Sequence, residues 1–293
     1  MSQITVPVQS FLTNTMSRPL LDLHYGIEQT PPVISIHAHT YYEIIIFATG
    51  SVERYVVGQK NYLLKPGDVL VIPPYIQHHP IFNNRIKTPY SRFCYWMTEE
   101  YLDTIKHIPD STYLLQNCLE QNEYLVHLPE LQRRQLLVQM EKARDEIAAS
   151  KNSAYLYLHA SFLDFLAVMN DYLHISNGKL QYIDTQYNDL MEELLSYIHS
   201  NYKTNLTLQS TAKVFHASCS TIETLFKKTL KMSFYQYVTE YRIATAKLLI
   251  LKGTPLKEVS LLCGYSDYSN FYRVFTKRVG ISPSNYLLGT NQA

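Results

Sequence analysis

The amino-acid sequence predicts a two-domain α+β protein. An antiparallel β-barrel or sandwich with following helices comes first, and an all-α domain with two helix-turn-helix motifs joined by a long helix comes second. Short β-type apolar runs separated by turn residues fill the first hundred residues, and an internal repeat of helical segments fills the last hundred. A length of 293 residues and an apolar content of 46% fit two folded domains.

The β region is predicted from five short runs rich in Val, Ile, Tyr and Phe. Gly, Pro and Asp, which are typical of turns, interrupt these runs. Strands at this spacing are typical of a small barrel or sandwich, which we place at about residues 20–100. The runs are residues 33–36, 44–47, 54–57, 62–64 and 69–72.

Two long helices are predicted after the β region, at residues 130–149 and 153–174. Both segments lack Gly and Pro and carry apolar residues at helical spacing. One interpretation is that they cover the open side of the β domain. The other is that their outer faces pair two chains as a homodimer, the commonest symmetric assembly. A break at Ser176 predicts a linker over residues 176–187, between a first domain at 1–175 and a second at 188–293.

Composition narrows the classes of protein. The chain has no run of about 20 uncharged apolar residues, so we expect no membrane span. Its N-terminus lacks the basic start and apolar run of a secretion signal, and its four cysteines lie far apart, which argues against a disulfide framework or a zinc knuckle. We therefore expect a cytoplasmic protein.

Charge is distributed unevenly between the two halves. Residues 188–293 contain 12 Lys or Arg against 7 Asp or Glu, whereas residues 1–187 contain 14 against 18. A basic second domain is compatible with nucleic-acid binding but does not establish it.

The internal repeat organises the second domain. Residues 208–237 match residues 256–286 at an offset of 48 before a turn and 49 after it. Each copy is predicted as helix, tight turn, helix. Matching pairs include Leu208 with Leu256, Ser218 with Ser266, Phe226 with Phe275 and Tyr237 with Tyr286. The predicted helices are 188–201, 207–215, 218–230, 233–252, 255–263, 267–279 and 283–288.

The tight turns and helix starts carry local signals. Gly264 occupies the turn position of the second copy where a left-handed residue is needed, and His216 occupies it in the first. Thr207, Ser218 and Ser266 are candidate N-caps. The helix at 233–252 spans roughly 28 Å, which would hold the two units about one DNA turn, or 34 Å, apart.

The outward faces of the second helices predict double-stranded DNA as the partner. Arg273 suits guanine and Asn270 suits adenine, whereas Lys277 suits a phosphate. The first copy has no such fork-shaped donor, and its Glu223 either accepts from cytosine or is a solvated helix end. The candidate DNA-binding residues are Ser220, Thr221, Glu223, Thr224, Lys228, Ser266, Ser269, Asn270, Arg273 and Lys277.

The second domain resembles the DNA-binding domain of the AraC/XylS family of transcription regulators. The resemblance rests on Gly264–Phe275, on Gly280–Tyr286 and on Tyr241–Leu249 of the joining helix. It implies a transcription regulator controlled by a small-molecule effector, with RNA polymerase as a further partner. The sequence departs from the family pattern at Thr224, Lys231 and Leu287, and the first departure weakens base reading by the first unit.

The first domain resembles the cupins over residues 20–100. Its motifs are His37-x-His39-x3-Glu43-x6-Gly50, then Gly67-x5-Pro73, then His78. In metal-binding cupins the matching residues, here His37, His39, Glu43 and His78, converge on one ion. Tyr75 replaces an expected Gly, and His79 beside His78 leaves the fourth ligand ambiguous. On an extended strand the even spacing of His37, His39, Tyr41 and Glu43 predicts that they share one face.

Three interpretations of this region follow. The preferred one is a polar pocket for a small-molecule effector, often a sugar in the regulators that the chain resembles, in which Trp96 offers a stacking face. Its candidate residues are His37, His39, Tyr41, Glu43, Arg54, His78 and Trp96. The second is a Zn, Mn, Fe or Ni site, which would make the chain a metal-dependent cupin enzyme with an appended helical domain. The third is that the histidines are merely satisfied inside the barrel. We expect no enzymatic activity and no cofactor, because no Ser/His/Asp or Cys/His constellation stands out.

Overall fold

The structure is a computed structural model that describes residues 16, 18–28, 34, 36–50, 52–82, 88–150, 152–176, 180, 190–230 and 232–290. Most of the predicted linker, residues 177–179 and 181–187, lies outside the described residues, as does Lys231. Within the described part, no helix combines the length and apolar composition needed to cross a membrane.

The described strands form two antiparallel sheets. A five-stranded sheet has the order β1-β7-β2-β5-β8, and a three-stranded sheet has the order β4-β3-β6. The strands are β1 (Leu21–Glu28), β2 (Tyr42–Thr49), β3 (Val52–Val57), β4 (Lys60–Tyr62), β5 (Val69–Ile72), β6 (His78–Phe82), β7 (Tyr90–Met97) and β8 (Leu125–Val126). The two sheets face each other as the walls of a barrel. Among the described residues, backbone hydrogen bonds between paired strands do not close this barrel.

Four helices belong to the first domain, two before β8 and two after it, and seven make up the C-terminal part of the described chain. The first four are α1 (Glu99–Ile105), α2 (Tyr113–Glu120), α3 (Glu130–Ala149) and α4 (Ala154–Ile175). The others are α5 (Leu190–Asn201), α6 (Leu208–Val214), α7 (Cys219–Leu230), α8 (Phe234–Leu251), α9 (Leu256–Leu262), α10 (Tyr268–Val279) and α11 (Pro283–Thr290).

Alternation along the strands builds three successive apolar layers. Ile44 and Ile46 of β2 join a cluster with α1–α4, whereas Ile45 and Phe47 turn to the space between the sheets. The three-stranded sheet repeats this pattern, because Tyr55 and Val57 of β3 point inward and Val56 points outward. The outer face of that sheet packs on the first helix-turn-helix unit, α6–α7, together with α5 and α8.

The two helix-turn-helix units form where the repeat predicts them. The turn residues have left-handed backbone angles, with φ of 49° at His216 and 78° at Gly264. Ser218 accepts a hydrogen bond from the amide of Thr221, which confirms the predicted cap of α7. The predicted cap Ser266 is wrong by one residue, because Asp267 caps α10. The joining helix α8 has 18 residues and is about 27 Å long.

Candidate DNA-binding face and effector site

Helix α10 carries the polar face that the second unit presents. Phe271 and Phe275 are fully buried and hold the helix against its own unit. On the other side Ser269, Arg273 and Lys277 are exposed. The Nη2 of Arg273 donates to Asn270 Oδ1 at 3.2 Å. This bond positions the two side chains whose hydrogen-bonding groups suit base edges.

The N-terminus of α10 is fixed by a carboxylate. Asp267 Oδ1 accepts from the amide of Asn270 at 2.7 Å, and Asp267 Oδ2 accepts from the Ser266 hydroxyl at 3.0 Å. The bond from the Asn270 amide is the main reason that the pKa of Asp267 lies below its usual value. Asn270 is therefore held at both its backbone and its side chain.

Helix α7 presents a different face. Ile222 and Phe226 are fully buried, and the side chains predicted to meet DNA are mostly exposed. Glu223 is the exception, because its Oε2 accepts from the amide of Phe234, the first residue of α8, at 3.2 Å. Glu223 thus stabilises the junction between α7 and α8. Neither the interpretation as a cytosine contact nor the interpretation as a solvated helix end predicted this hydrogen bond. The exposed residues are Ser220, Thr221, Thr224 and Lys228.

Glu43 is the centre of the candidate effector site. It lies on β2, facing the space between the two sheets, and is 5% exposed. Its Oε2 contacts His39 Nε2 at 3.2 Å and His78 Nε2 at 2.9 Å. Its Oε1 accepts from Trp96 Nε1 at 2.8 Å. Residues from three separate segments therefore meet at one carboxylate.

The hydrogen bonds around Glu43 constrain its charge. Burial alone would raise the pKa of Glu43, but the bonds with His39 and His78 hold it well below the usual range. The Trp96 indole can only donate, which favours the same ionised state. Burial lowers the pKa of His39, although the bond with Glu43 opposes that shift.

Both imidazoles at Glu43 have acceptors on both sides. His39 Nδ1 lies 2.7 Å from the carbonyl of Tyr41, and His78 Nδ1 lies 2.9 Å from the carbonyl of Ile76. A neutral imidazole has one N–H and cannot donate to a carbonyl and a carboxylate at once. Each of these imidazoles, when neutral, therefore donates to only one of its two neighbours, the backbone carbonyl or Glu43.

Three of the predicted metal ligands are close enough to share an ion. The ligand atoms of His37, Glu43 and His78 all lie within 4.8 Å of one another. The Ile76 carbonyl holds the Nδ1 of His78, an arrangement that leaves its Nε2 to face a metal. The donor set of imidazoles and a carboxylate fits a divalent transition metal.

The remaining predicted effector residues are placed differently. Tyr41 stacks on His39 with ring centroids 4.0 Å apart, so it belongs to the group. Trp96 is 4% exposed and lies against His24 and Tyr41, so its indole N–H, rather than a ring face, reaches Glu43. The prediction that Arg54 lines the effector site is wrong. Arg54 shares the outward orientation of Val56 on β3 and faces away from Glu43.

Sequence reasoning missed a group of residues where the two parts of the chain meet. Gln77 Nε2 donates to Thr245 Oγ1 at 2.5 Å, and the His79 ring lies 5.9 Å from that of Tyr237. His199 contacts the Tyr237 hydroxyl through Nε2 at 2.8 Å. The adjacent pair His78-His79 was the available signal, since neighbouring residues of a strand face opposite sides.

Comparison with known families agrees with this architecture. Residues 23–160 match the AraC-like ligand binding domain, and residues 211–288 match the helix-turn-helix domain. The predicted AraC/XylS resemblance is therefore confirmed for both parts of the chain: an AraC-like ligand binding domain is followed by a helix-turn-helix domain.

Individual relatives cover only part of this chain. The HTH-type transcriptional regulator YdiP of Escherichia coli (strain K12) is 34% identical over 143 residues, which are 47% of this chain and 46% of that protein. The lactose operon transcription activator of Staphylococcus xylosus is 34% identical over 100 residues, which are 34% of this chain and 36% of that protein. Matches to the first four curated relatives span 14% to 46% of their lengths.

Among solved structures, fatty-acid-bound ToxT from Vibrio cholerae is 14% identical with a TM-score of 0.40. The alignment covers 92% of this chain and 95% of that one.

Proposed function

We propose that this protein is a transcription regulator that binds specific sequences in double-stranded DNA. The observation that carries the proposal is the exposed face of α10, where Arg273 and Asn270 are hydrogen-bonded to each other above a buried aromatic core. Arg and Asn are the side chains that suit guanine and adenine edges in the major groove. The relatives named as transcription regulators, YdiP and the lactose operon activator, support the same function.

Arg273→Ala and Asn270→Ala test base reading by α10. Operator fragments are first selected from random DNA with the full-length protein, and binding is then followed by fluorescence anisotropy. Each variant should weaken binding to the selected DNA by about 1–3 kcal/mol and relax the preference at particular base pairs. Lys106→Ala is the control, because this lysine lies at the end of α1 in the first domain with a 64% exposed side chain. Wild-type affinity and base preference in both test variants would refute the assignment of α10 as the reading helix.

We further propose that a small polar molecule bound at Glu43 controls the regulator. Ionised Glu43, two histidines and Tyr41 offer the mixture of acceptors and donors that recognises a hydroxyl-rich ligand such as a sugar. Trp96 reports on this site, because it is the only tryptophan of the chain and donates to Glu43.

The sugar hypothesis is tested by titrating the protein with lactose and a panel of mono- and disaccharides. We expect at least one to change Trp96 fluorescence saturably, and Glu43→Gln to abolish the change. Glu123→Gln is the matched control, since Glu123 is also a buried carboxylate but pairs with Lys60 elsewhere in the domain. A panel without any saturable response would exclude these sugars as effectors.

A divalent metal ion is the second candidate ligand of this site. His37, Glu43 and His78 support it through their mutual distances. In that case the residues would hold the ion and the metal-dependent enzyme alternative would regain support. Elemental analysis of protein purified without added metal decides the matter. A stoichiometric transition metal should disappear in His37→Ala and persist in His107→Ala, an exposed control. Metal-free, DNA-binding protein would remove this candidate.

We also propose that the α3–α4 hairpin forms a homodimer. Leu131 and Val138 of α3 and Leu156 of α4 are each at least 65% exposed, so both helices present apolar surface that a second chain would cover. Sedimentation velocity should show a dimer that Val138→Glu dissociates. Leu119→Glu, at an exposed leucine on α2, is the control. A monomeric wild type at micromolar concentration would contradict this proposal.

A further inference from the structure

Strand β6 has one residue in each of two functional regions. His78 turns into the domain and contacts Glu43 at 2.9 Å. Its neighbour His79 turns outward and lies next to Tyr237 of the joining helix α8. Because successive strand residues face opposite sides, a shift of this strand moves both contacts together.

The segment that pairs with β6 repeats this arrangement. His37, a member of the Glu43 cluster, forms backbone hydrogen bonds with His78 in both directions, at 3.2 and 2.9 Å. The preceding residue, Ile36, is buried in the apolar cluster shared with Leu194 and Ile198 of α5. Two adjacent backbone segments thus carry Glu43 partners and interdomain residues side by side.

Two polar residues of the β domain, Gln77 and His79, also lie at this contact. The side chain of Gln77, directly before β6, donates to Thr245 Oγ1 at 2.5 Å and to the carbonyl of Tyr241 at 3.4 Å. His79 is 4% exposed, yet neither of its ring nitrogens has a hydrogen-bond partner. An unpartnered buried imidazole costs free energy in the docked arrangement, so this contact is less stable than one with full hydrogen bonding.

We propose that β6 and residues 36–37 couple the Glu43 site to the first helix-turn-helix unit. A small molecule or ion that engages His37, Glu43 and His78 shifts these two segments and thereby changes how α5 and α8 dock on the three-stranded sheet. The DNA-facing residues of α7 stay exposed in the docked arrangement, so the coupling sets the placement of the unit rather than covering its DNA-binding face. This inference rests on the proposed effector function.

Coupling is reciprocal, so a change at the interface must be felt at Glu43. Thr245→Val removes the acceptor of Gln77 and leaves the Glu43 cluster untouched. Thr239→Val is the matched control, because both hydroxyls donate to a carbonyl four residues earlier on α8 but only Thr245 also accepts from Gln77. We expect Thr245→Val to shift the emission of Trp96 and increase its quenching by acrylamide, and Thr239→Val to leave both at wild-type values. A wild-type Trp96 signal in Thr245→Val overturns the proposal.

The reverse direction uses Glu43→Gln and hydrogen–deuterium exchange of the full chain. Amides of α5 should exchange faster by about fivefold or more, the lower end of effects between coupled sites. Those of α10 should be unchanged, because the described residues of its core cluster all come from the second domain. Exchange in β7 shows whether the first domain remains folded, and Glu123→Gln controls for the loss of a buried carboxylate. Unchanged α5 exchange with intact β7 overturns the coupling.

DNA binding by the wild-type protein is measured separately. Failure of the wild-type protein to bind the selected DNA would count against the proposed function. DNA binding by the wild type, together with an unchanged Trp96 signal in Thr245→Val or unchanged α5 exchange in Glu43→Gln, would count against the coupling alone.

Discussion

The two helix-turn-helix units share a sequence pattern but have different surroundings. The first unit shares its apolar core with Ile36, Val56 and Ile81 of the β domain. The second unit has a core of its own around Phe271 and Phe275, to which the described residues of the β domain contribute nothing. One unit therefore shares its core with the ligand-binding domain, whereas the described core of the other comes from the second domain alone.

The polar faces of α7 and α10 also differ between the two units. In the first unit Glu223 accepts a hydrogen bond from the amide of Phe234. In the second unit Asn270 and Arg273 bond to each other and remain available at the surface. Under the proposed function, this difference predicts a division of labour in which the first unit positions the domain on DNA and the second unit reads the sequence.

The turn of the second unit should be the more sensitive of the two. A Cβ at Gly264 would lie 2.6 Å from the carbonyl oxygen of Tyr202, on a backbone with φ of 78°. Gly264→Ala should cost about 3 kcal/mol of local stability, because it combines left-handed strain with a backbone clash. Hydrogen–deuterium exchange of the full chain should show faster exchange in α9 and α10.

His216 provides the comparison for that prediction. It tolerates a φ of 49° at an exposed turn of the first unit. His216→Gly should therefore relieve strain and slow the exchange of α6 and α7, by the equivalent of about 1 kcal/mol. Equal sensitivity of the two turns would contradict the difference in packing that the structure shows.

Glu223 tests the division of labour at the first unit. Glu223→Ala removes the acceptor of the Phe234 amide and should cost about 1 kcal/mol at the start of α8, as for other helix caps. Affinity and base preference for DNA should not fall, because the carboxylate serves the helix junction. Glu223→Gln retains an acceptor and should preserve most of the protection in exchange experiments. A relaxed base preference in Glu223→Ala would show instead that this side chain reads DNA.

Sequence alone could predict the helical domain in detail because its signals are local. Repeat spacing, Ser218 as a cap and Gly264 as a left-handed residue each depend on a few neighbouring residues. The partner of Glu223 could not be predicted in this way, since it lies eleven residues along the chain and across a turn. One-residue errors at caps arise where two capping residues are adjacent, as at Ser266 and Asp267.

The β domain was harder to predict because its contacts are long-range. All eight residues of β7 are buried, so this strand has no alternation between polar and apolar residues, and it was missed. The spacing of two residues did predict that His39 and Glu43 share a face, and the two side chains are buried and in contact. The outward position of Arg54 and the docking of His79 on α8 depend on a β-bulge and a second domain, which no local pattern reveals.

The smallest expected difference between the units concerns their N-caps. Asp267 caps α10 with a carboxylate whose pKa lies below the usual value of 3.8, mainly because of the bond from the Asn270 amide, whereas Ser218 caps α7 with a hydroxyl that does not titrate. Since the folded-state pKa is depressed, the stabilisation by Asp267 is present above pH 3.8 and is lost as the pH falls through the folded pKa.

NMR of the full chain should show the amide shift of Asn270 titrating in that acidic range while the amide of Thr221 stays constant. Asp267→Ser should abolish the titration but keep a cap, as Ser218 does in α7. Parallel movement of both amides in the wild type would mean that the domain unfolds as a whole, and the caps of the two units would then not differ in this respect.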